Sequence, residues 1–290
     1  MVTRVTATLA HSRLSGDLLS HQVQLACLLE VSAAKPGNIT PAHDFADTTY
    51  ADMVRSALAL GPVFARRQVM HRRVGELIAD GVAATASVAR ANTNLGIALL
   101  FAPLVRATVT RRADEPLRSA VERTLEQLDV DDAAAAFAAI ARASPGGLGE
   151  APEHDVRAPA RVSLREAMAA AAHRDSIASE YATGYAIVFD TGLPLLDDAL
   201  QGGLSTLDAI VSLHVGLLSR IPDTLIARKA GDTAARAVME RACEVRAGTR
   251  SVADFDASLR GADNELNPGT TADLVAGTLL AALLSGVRLP

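Results

Sequence analysis

The residues best suited to chemistry fall into five clusters, each joining carboxylates, amides or cations to a turn. The first runs from Glu30 to Asn38. At helical spacing Glu30 shares a face with Val23, Ala26 and Cys27. A carboxylate on an apolar stripe is costly unless it is paired or functional. Lys35 precedes Pro36, so the helix should stop there. Gly37 then lets backbone N–H groups approach a ligand closely. Lys35, Gly37 and Asn38 together suit an anion, above all phosphate. They equally suit a helix C-terminus with a lysine at the negative end of its dipole.

The second cluster is Asn92-Thr93-Asn94-Leu95-Gly96. Asn92 and Asn94 at a helix start can hold phosphate or ribose oxygens, or Asn94 can simply cap the helix. The third is Arg174-Asp175 with Glu180-Tyr181. A spacing of five does not put the two acids on one face, and solvated charge is the plainer reading. The fourth is Asp223-Thr224, Arg228-Lys229 and Gly231-Asp232. Asp223 and Asp232 each stand where an N-cap belongs. The sharper reading is a triphosphate clamp with an acidic magnesium ligand. The fifth is Asn267-Pro268-Gly269-Thr270, then Asp273. Thr270 with Asp273 resembles a capping box, yet Asp273 also lies under Ala276, Gly277 and Leu280, which leaves an inward direction open.

Two histidines stand outside these clusters. His214 sits among Val211, Leu213, Val215 and Leu217 and reads as a core residue. His43, with Asp44, follows the first turn and is within reach of its ligand. No P-loop, dinucleotide-binding or nucleophile-elbow motif occurs.

The elements that must position these residues are helices. Alanine and leucine dominate, and most windows fit a period of 3.6. Helices are expected over 17–34, 50–67, 69–88, 95–108, 116–128, 131–143, 164–190, 194–201, 207–219, 224–230, 233–247, 252–260 and 272–285. No strand is expected, so the fold class is all-α, as a single compact multi-helix domain. The segment 144–160 holds three Pro and three Gly in seventeen positions, which excludes helix. It reads as a central loop between two helical halves, or as a flap over a site.

Composition narrows the function. The chain has 290 residues, with 28 Lys and Arg against 33 Asp and Glu, a net charge of −5. That balance, with 3% aromatic residues and no Trp, argues against nucleic acid as a partner. Two cysteines, Cys27 and Cys243, make no disulfide framework and fit a reducing compartment. The longest apolar stretch, 274–284, is too short to span a bilayer. A cytoplasmic protein with no membrane partner is expected, and a homo-oligomer is compatible with the sequence.

Taken in order, the clusters resemble the triphosphoribosyl-dephospho-CoA synthase family. The resemblance rests on Glu30-Val31 with Lys35-Pro36-Gly37, Ser56-Ala57-Leu58-Ala59, Asn92-Thr93-Asn94-Leu95-Gly96, Asp223-Thr224 with Arg228 and Gly231, and Asn267 to Leu274. It covers most of the chain, from Glu30 to Leu284. Two departures stand out: the family's N-T-H-K-G is N-T-N-L-G here, and its closing S-P-G-G is N-P-G-T. The resemblance implies an all-helical transferase that moves the 5-triphosphoribosyl group of ATP to the 2′-hydroxyl of dephospho-CoA and releases adenine. The departures keep a different alcohol acceptor open.

Such a reaction passes through an oxocarbenium-like state, so it needs carboxylates near the sugar, a base, and screening of three phosphates. Lys35, Arg228 and Lys229 are assigned to the triphosphate, and Asp223 or Asp232 to Mg²⁺. Glu30, Asp175 or Asp273 is the base or the oxocarbenium stabiliser, with Asp273 the first choice. Asn92 and Asn94 hold ribose or phosphate oxygens, and Gly37, Asn38, Asn267 and Gly269 line the nucleotide site. Two rivals remain: a helical N-glycosidic hydrolase acting on ADP-ribose or a nucleotide, and a nucleotide-binding regulator without catalysis.

Overall fold

The computed structural model describes residues 16–89, 91, 93–143, 153–261 and 263–289. Among these it contains α-helices joined by turns, one π-helical turn and no strand beyond an isolated bridge between Thr40 and His43. The all-α expectation holds. Asn92 and residues 144–152 of the central loop lie outside the described residues.

Two helices form the centre. α5 (Leu95–Thr110) has 12 of its 16 residues buried, and the C-terminal helix (Gly269–Leu284) has 13 of 16. A helix that is apolar all round must be enclosed, and these two pack on each other. Around them stand α1 (Gly16–Ser32), α2 (Tyr50–Val63), α3 (Arg66–His71), α4 (Val74–Ala86), α6 (Leu117–Glu126), α7 (Val130–Ala143), α8 (Leu164–Ala171) and α9 (Ser176–Thr183). Beyond the π-turn, Ile187–Gly192, come α10 (Leu193–Gln201), α11 (Thr206–Leu218), α12 (Thr224–Ala230), α13 (Asp232–Arg246), α14 (Val252–Leu259) and the C-terminal helix, α15. A smaller core of Val215, Leu218, Ile226, Ala235, Val238, Ala242, Phe255 and Leu259 holds α11 to α14 together.

Two prolines inside helices explain long-range contacts. Pro103 in α5 has no N–H to give the Leu99 carbonyl four residues back. The Tyr181 hydroxyl donates to that carbonyl instead, at 2.7 Å. Pro62 likewise frees the Leu58 carbonyl, and Gln24 Nε2 of α1 donates to it at 3.0 Å. Gly61 permits this approach, because a Cβ there would lie 2.4 Å from Gln24 Nε2.

Three expected helices are shorter than their periodicity suggests. The 50–67 segment stops at Val63, and 69–88 divides into α3 and α4, where Glu76 accepts from the Arg73 N–H and starts a new helix. The expected 164–190 helix breaks into α8, α9 and the π-turn. Asp175 caps α9 at its start. At its end Gly184 and Tyr185 both adopt left-handed φ, 66° and 61°.

Glu180 stabilises that second break, and it is not the solvated charge expected from the sequence. It is fully buried and accepts from the Ile187 and Val188 N–H groups at 2.8 and 3.0 Å. Burial pushes its carboxyl up to about 7, against those two hydrogen bonds, which pull it down. A folded value above the unfolded one means the folded state holds its proton longer. Stability should therefore fall as pH rises from about 4.5 to 7, by about 3 kcal/mol, and stay lower beyond. Denaturant titrations at pH 5 and 8 should show this loss in the wild type and a smaller one in Glu180→Gln. An equal loss in both would contradict it.

Candidate active site

The two proline–glycine turns meet. Gly37 has φ 77°, and its N–H donates to Asp256 Oδ1 at 2.8 Å. A Cβ there would press on Pro268 Cδ at 2.8 Å and Leu259 Cδ1 at 2.9 Å, so glycine is required twice over. Next to it Asn38 Nδ2 donates to Asn267 Oδ1 at 2.7 Å, across 229 residues of chain. Above this junction opens a cavity of about 880 Å³. Among the sequence candidates, Glu30, Asn38, Asp175, Arg228, Lys229, Asn267, Gly269 and Asp273 line it.

Asp273 sits in the second turn of α15, inside the helix. Pro268, not Thr270, holds the N-cap position, so the capping-box reading of Thr270 and Asp273 is overturned and the inward one stands. Its carboxylate lies against α5 at Gly96, where a Cβ would come within 2.0 Å of Oδ2. Burial pushes the Asp273 carboxyl well above the usual range. The charges of Glu30, Asp223 and Asp175 add to this, and Arg228 opposes it. Burial and these neighbours thus favour the protonated form of Asp273. The glycine of the Asn92–Gly96 motif exists to admit it: Gly96→Ala should slow turnover at least about tenfold by displacing that acid. Gly261→Ala, which meets nothing within 4 Å, should not. Equal rates in both variants would remove the Gly96–Asp273 contact from the account.

Glu30 is 4% exposed at the cavity wall and pairs with Lys35 at 2.9 Å. Lys35 is itself fully buried and does not line the cavity, contrary to the reading that gives it to the phosphates. Asp175 spends one oxygen on capping α9, through the Ile177 and Ala178 N–H groups at 2.9 and 3.0 Å. Its other oxygen pairs with Arg228. With both oxygens engaged it aims Arg228 and is not a free base. Lys229 is exposed at the cavity edge, and Arg174, not singled out as a ligand from the sequence, lines the wall.

Asp223 departs furthest from expectation. One oxygen caps α12, accepting from the Leu225 and Ile226 N–H groups at 2.9 and 3.1 Å. The other accepts from the Thr271 N–H at 2.7 Å and the Thr271 hydroxyl at 2.8 Å. Burial pushes its carboxyl up and these hydrogen bonds pull it down. It is 1% exposed and its oxygens are saturated, so it ties α12, which carries Arg228 and Lys229, to α15, which carries Asp273. Asp232 is exposed in the first turn of α13 and does not line the cavity, and Gly231 takes the N-cap position. The pair does not fit a metal site. Among the described residues no group of three or more His, Cys, Asp or Glu is arranged to hold one.

Asn94 does take the N-cap position of α5, but its side chain makes no capping bond. It is 2% exposed, and neither amide atom has a hydrogen-bond partner. Its neighbour Thr93 donates to Ser56 at 2.7 Å, joining two motifs of the sequence. His43 is exposed and off the cavity. The described end of the central loop, 153–160, does more than link: Glu153 to Val156 form part of the cavity wall. Proline and glycine content marked this loop, but nothing in its spacing marked His154 or Asp155 as cavity residues.

An all-helical fold here sets a buried carboxyl, an ion-paired carboxylate and edge cations around one cavity, an arrangement suited to group transfer. The profile of the ATP:dephospho-CoA triphosphoribosyl transferase family (CitG) matches residues 17–289, and the chain belongs to that family. The chain is also similar to the crystal structure of a protein from Archaeoglobus fulgidus assigned as a triphosphoribosyl-dephospho-CoA synthase. Identity is 27%, the TM-score is 0.64, and the match covers 80% of this chain and 99% of that one. No curated protein sequence matches. The family is a transferase, and the hydrolase and regulator readings gain no support from these matches. No helix among the described residues is long and apolar enough to cross a membrane.

Proposed function

We propose that this cavity transfers the 5-triphosphoribosyl group of ATP to the 2′-hydroxyl of dephospho-CoA and releases adenine. The observation that carries the reading is that Asp273, whose carboxyl burial pushes well up, lines one cavity with Glu30, which is held beside Lys35. A buried carboxyl pushed up by desolvation is suited to give a proton, and a carboxylate held beside an ammonium is placed to receive one. The bond between ribose C1 and the adenine nitrogen breaks as the bond from C1 to the acceptor oxygen forms. Asp273 gives its proton to the departing base, and Glu30 takes the hydroxyl proton. Arg228, Lys229 and Arg174 meet the triphosphate, with Asp175 orienting Arg228. Asn38 and Asn267 hold polar edges of the substrate, with Gly269 leaving room beside them.

Magnesium belongs to this proposal as counter-ion of the triphosphate, and no step is routed through it. Asn92 keeps its assignment to ribose or phosphate oxygens from the sequence, while Asn94, buried and off the cavity lining, does not. A cytoplasmic setting suits an enzyme that consumes ATP. The test is mass spectrometry of reactions holding ATP, Mg²⁺ and one alcohol at a time. Dephospho-CoA should gain a triphosphoribosyl group. A product only with another alcohol would keep the chemistry and replace the acceptor.

A further inference from the structure

We infer that Lys35, backed by His214, serves the reaction by holding Glu30 at the cavity wall and makes no contact with the triphosphate. This rests on Glu30 being the base of the proposed transfer. The Lys35 ammonium donates both to Glu30 Oε1, at 2.9 Å, and to the Glu30 main-chain carbonyl. Two contacts to one residue bridge its side chain to its own backbone, which fixes where the carboxylate points. α1 ends at Ser32, three residues before Lys35, and the lysine folds back onto the last turn of that helix instead of reaching forward. The geometry leaves it fully buried, while Glu30 lines the cavity.

Behind the pair stands His214 of α11, fully buried, its ring beside Lys35 and the Pro36 backbone. Neither ring nitrogen has a partner at hydrogen-bond geometry. Burial first, and then the Lys35 charge, bring its pKa down to about 3, so the ring is neutral in the working range. A neutral ring sets no second positive charge against the ammonium, so Lys35 stays paired with Glu30. Glu30 also faces Cys27 of its own helix and Asp273 of α15. Burial, reinforced by Glu30, pushes both of these up. Both shifts favour the neutral form, and Lys35 is the counter-ion of Glu30.

Calorimetric titration of ATP into Glu30→Gln and into Glu30→Gln/Lys35→Met separates this from a phosphate-binding lysine. The double variant buries no unpaired charge, so it keeps the comparison open if Lys35→Met alone unfolds. ATP affinity should agree within about threefold between the two. A loss of tenfold or more on adding Lys35→Met, the size expected for a charge contact to phosphate, would overturn the inference. In turnover, Lys35→Met should lower kcat at least about a hundredfold with KM for ATP within about threefold. A raised KM at unchanged kcat would count against it. His214→Asp, which supplies a rival anion, should lower kcat at least about tenfold, and the neutral His214→Asn far less. Equal losses would remove His214 from the unit. Wild-type protein that binds ATP but releases no adenine would refute the proposed function instead, whatever the lysine does.

Discussion

Asp273→Asn should reduce adenine release by about 10²- to 10⁴-fold, the usual worth of a positioned acid, while ATP affinity stays within about threefold. Asparagine has the shape of a carboxylic acid but no proton to give. The fold pushes the Asp273 carboxyl well up, chiefly by burial and then by the charge of Glu30. The pH profile supplies the second half of the test. A carboxyl raised above its ordinary range is an acid below its folded value and loses its proton above it. Wild-type activity should therefore decline on the alkaline side, and that limb should vanish in Asp273→Asn. Stability should move the other way. A raised folded value weakens the native state once pH exceeds the unfolded value, so the neutral amide should melt no lower than the wild type at pH 7. Full activity in Asp273→Asn, or a large fall in its melting temperature, would contradict the role given to this residue.

Asp223→Ala should produce the largest loss of stability. Four donors lose their acceptor at once, and α12 loses its N-cap. Leaving buried donors unpaired costs about 1–3 kcal/mol each, so a total of at least about 3 kcal/mol is expected. For a chain of this size that is a fall of roughly 6 °C or more in Tm. Activity should fall further than unfolding explains, because α12 and α15 would no longer be held in register. Magnesium should not rescue it. A Tm within about 2 °C of wild type, or recovery with added Mg²⁺, would return Asp223 to the metal.

These two residues show how far the sequence could be read. The all-helical fold was legible because alanine and leucine recur at helical spacing, and five clusters in order marked the cavity. Breaks within helical stretches were less legible. Nothing local says that the segment after Ala171 leaves the helix. The break depends on Asp175 capping toward Arg228, 53 residues away, and on Glu180 bonding backbone it has yet to reach. The direction of a polar side chain was the hardest feature. Lys35 beside Pro36 and Gly37 has the residue types of a phosphate turn, yet it points back to Glu30. Asp223 has the type of a metal ligand, yet Thr271, distant in sequence, fills it. For Asp273, helical spacing under Ala276 and Leu280 left an inward direction open beside the capping box, and Pro268 at the N-cap decides for the inward one. What spacing could not supply was Gly96, the surface against which it rests.

Chromatography of a quenched reaction with ATP, Mg²⁺ and dephospho-CoA tests the central claim most directly. Transfer at C1 keeps all three phosphates on the sugar. Adenine should therefore appear in step with loss of ATP and depend on the acceptor, with no ADP and no inorganic phosphate. Stoichiometric ADP or phosphate would mean phosphoryl transfer and contradict the account. Adenine released at full rate without acceptor would mean hydrolysis and contradict it equally.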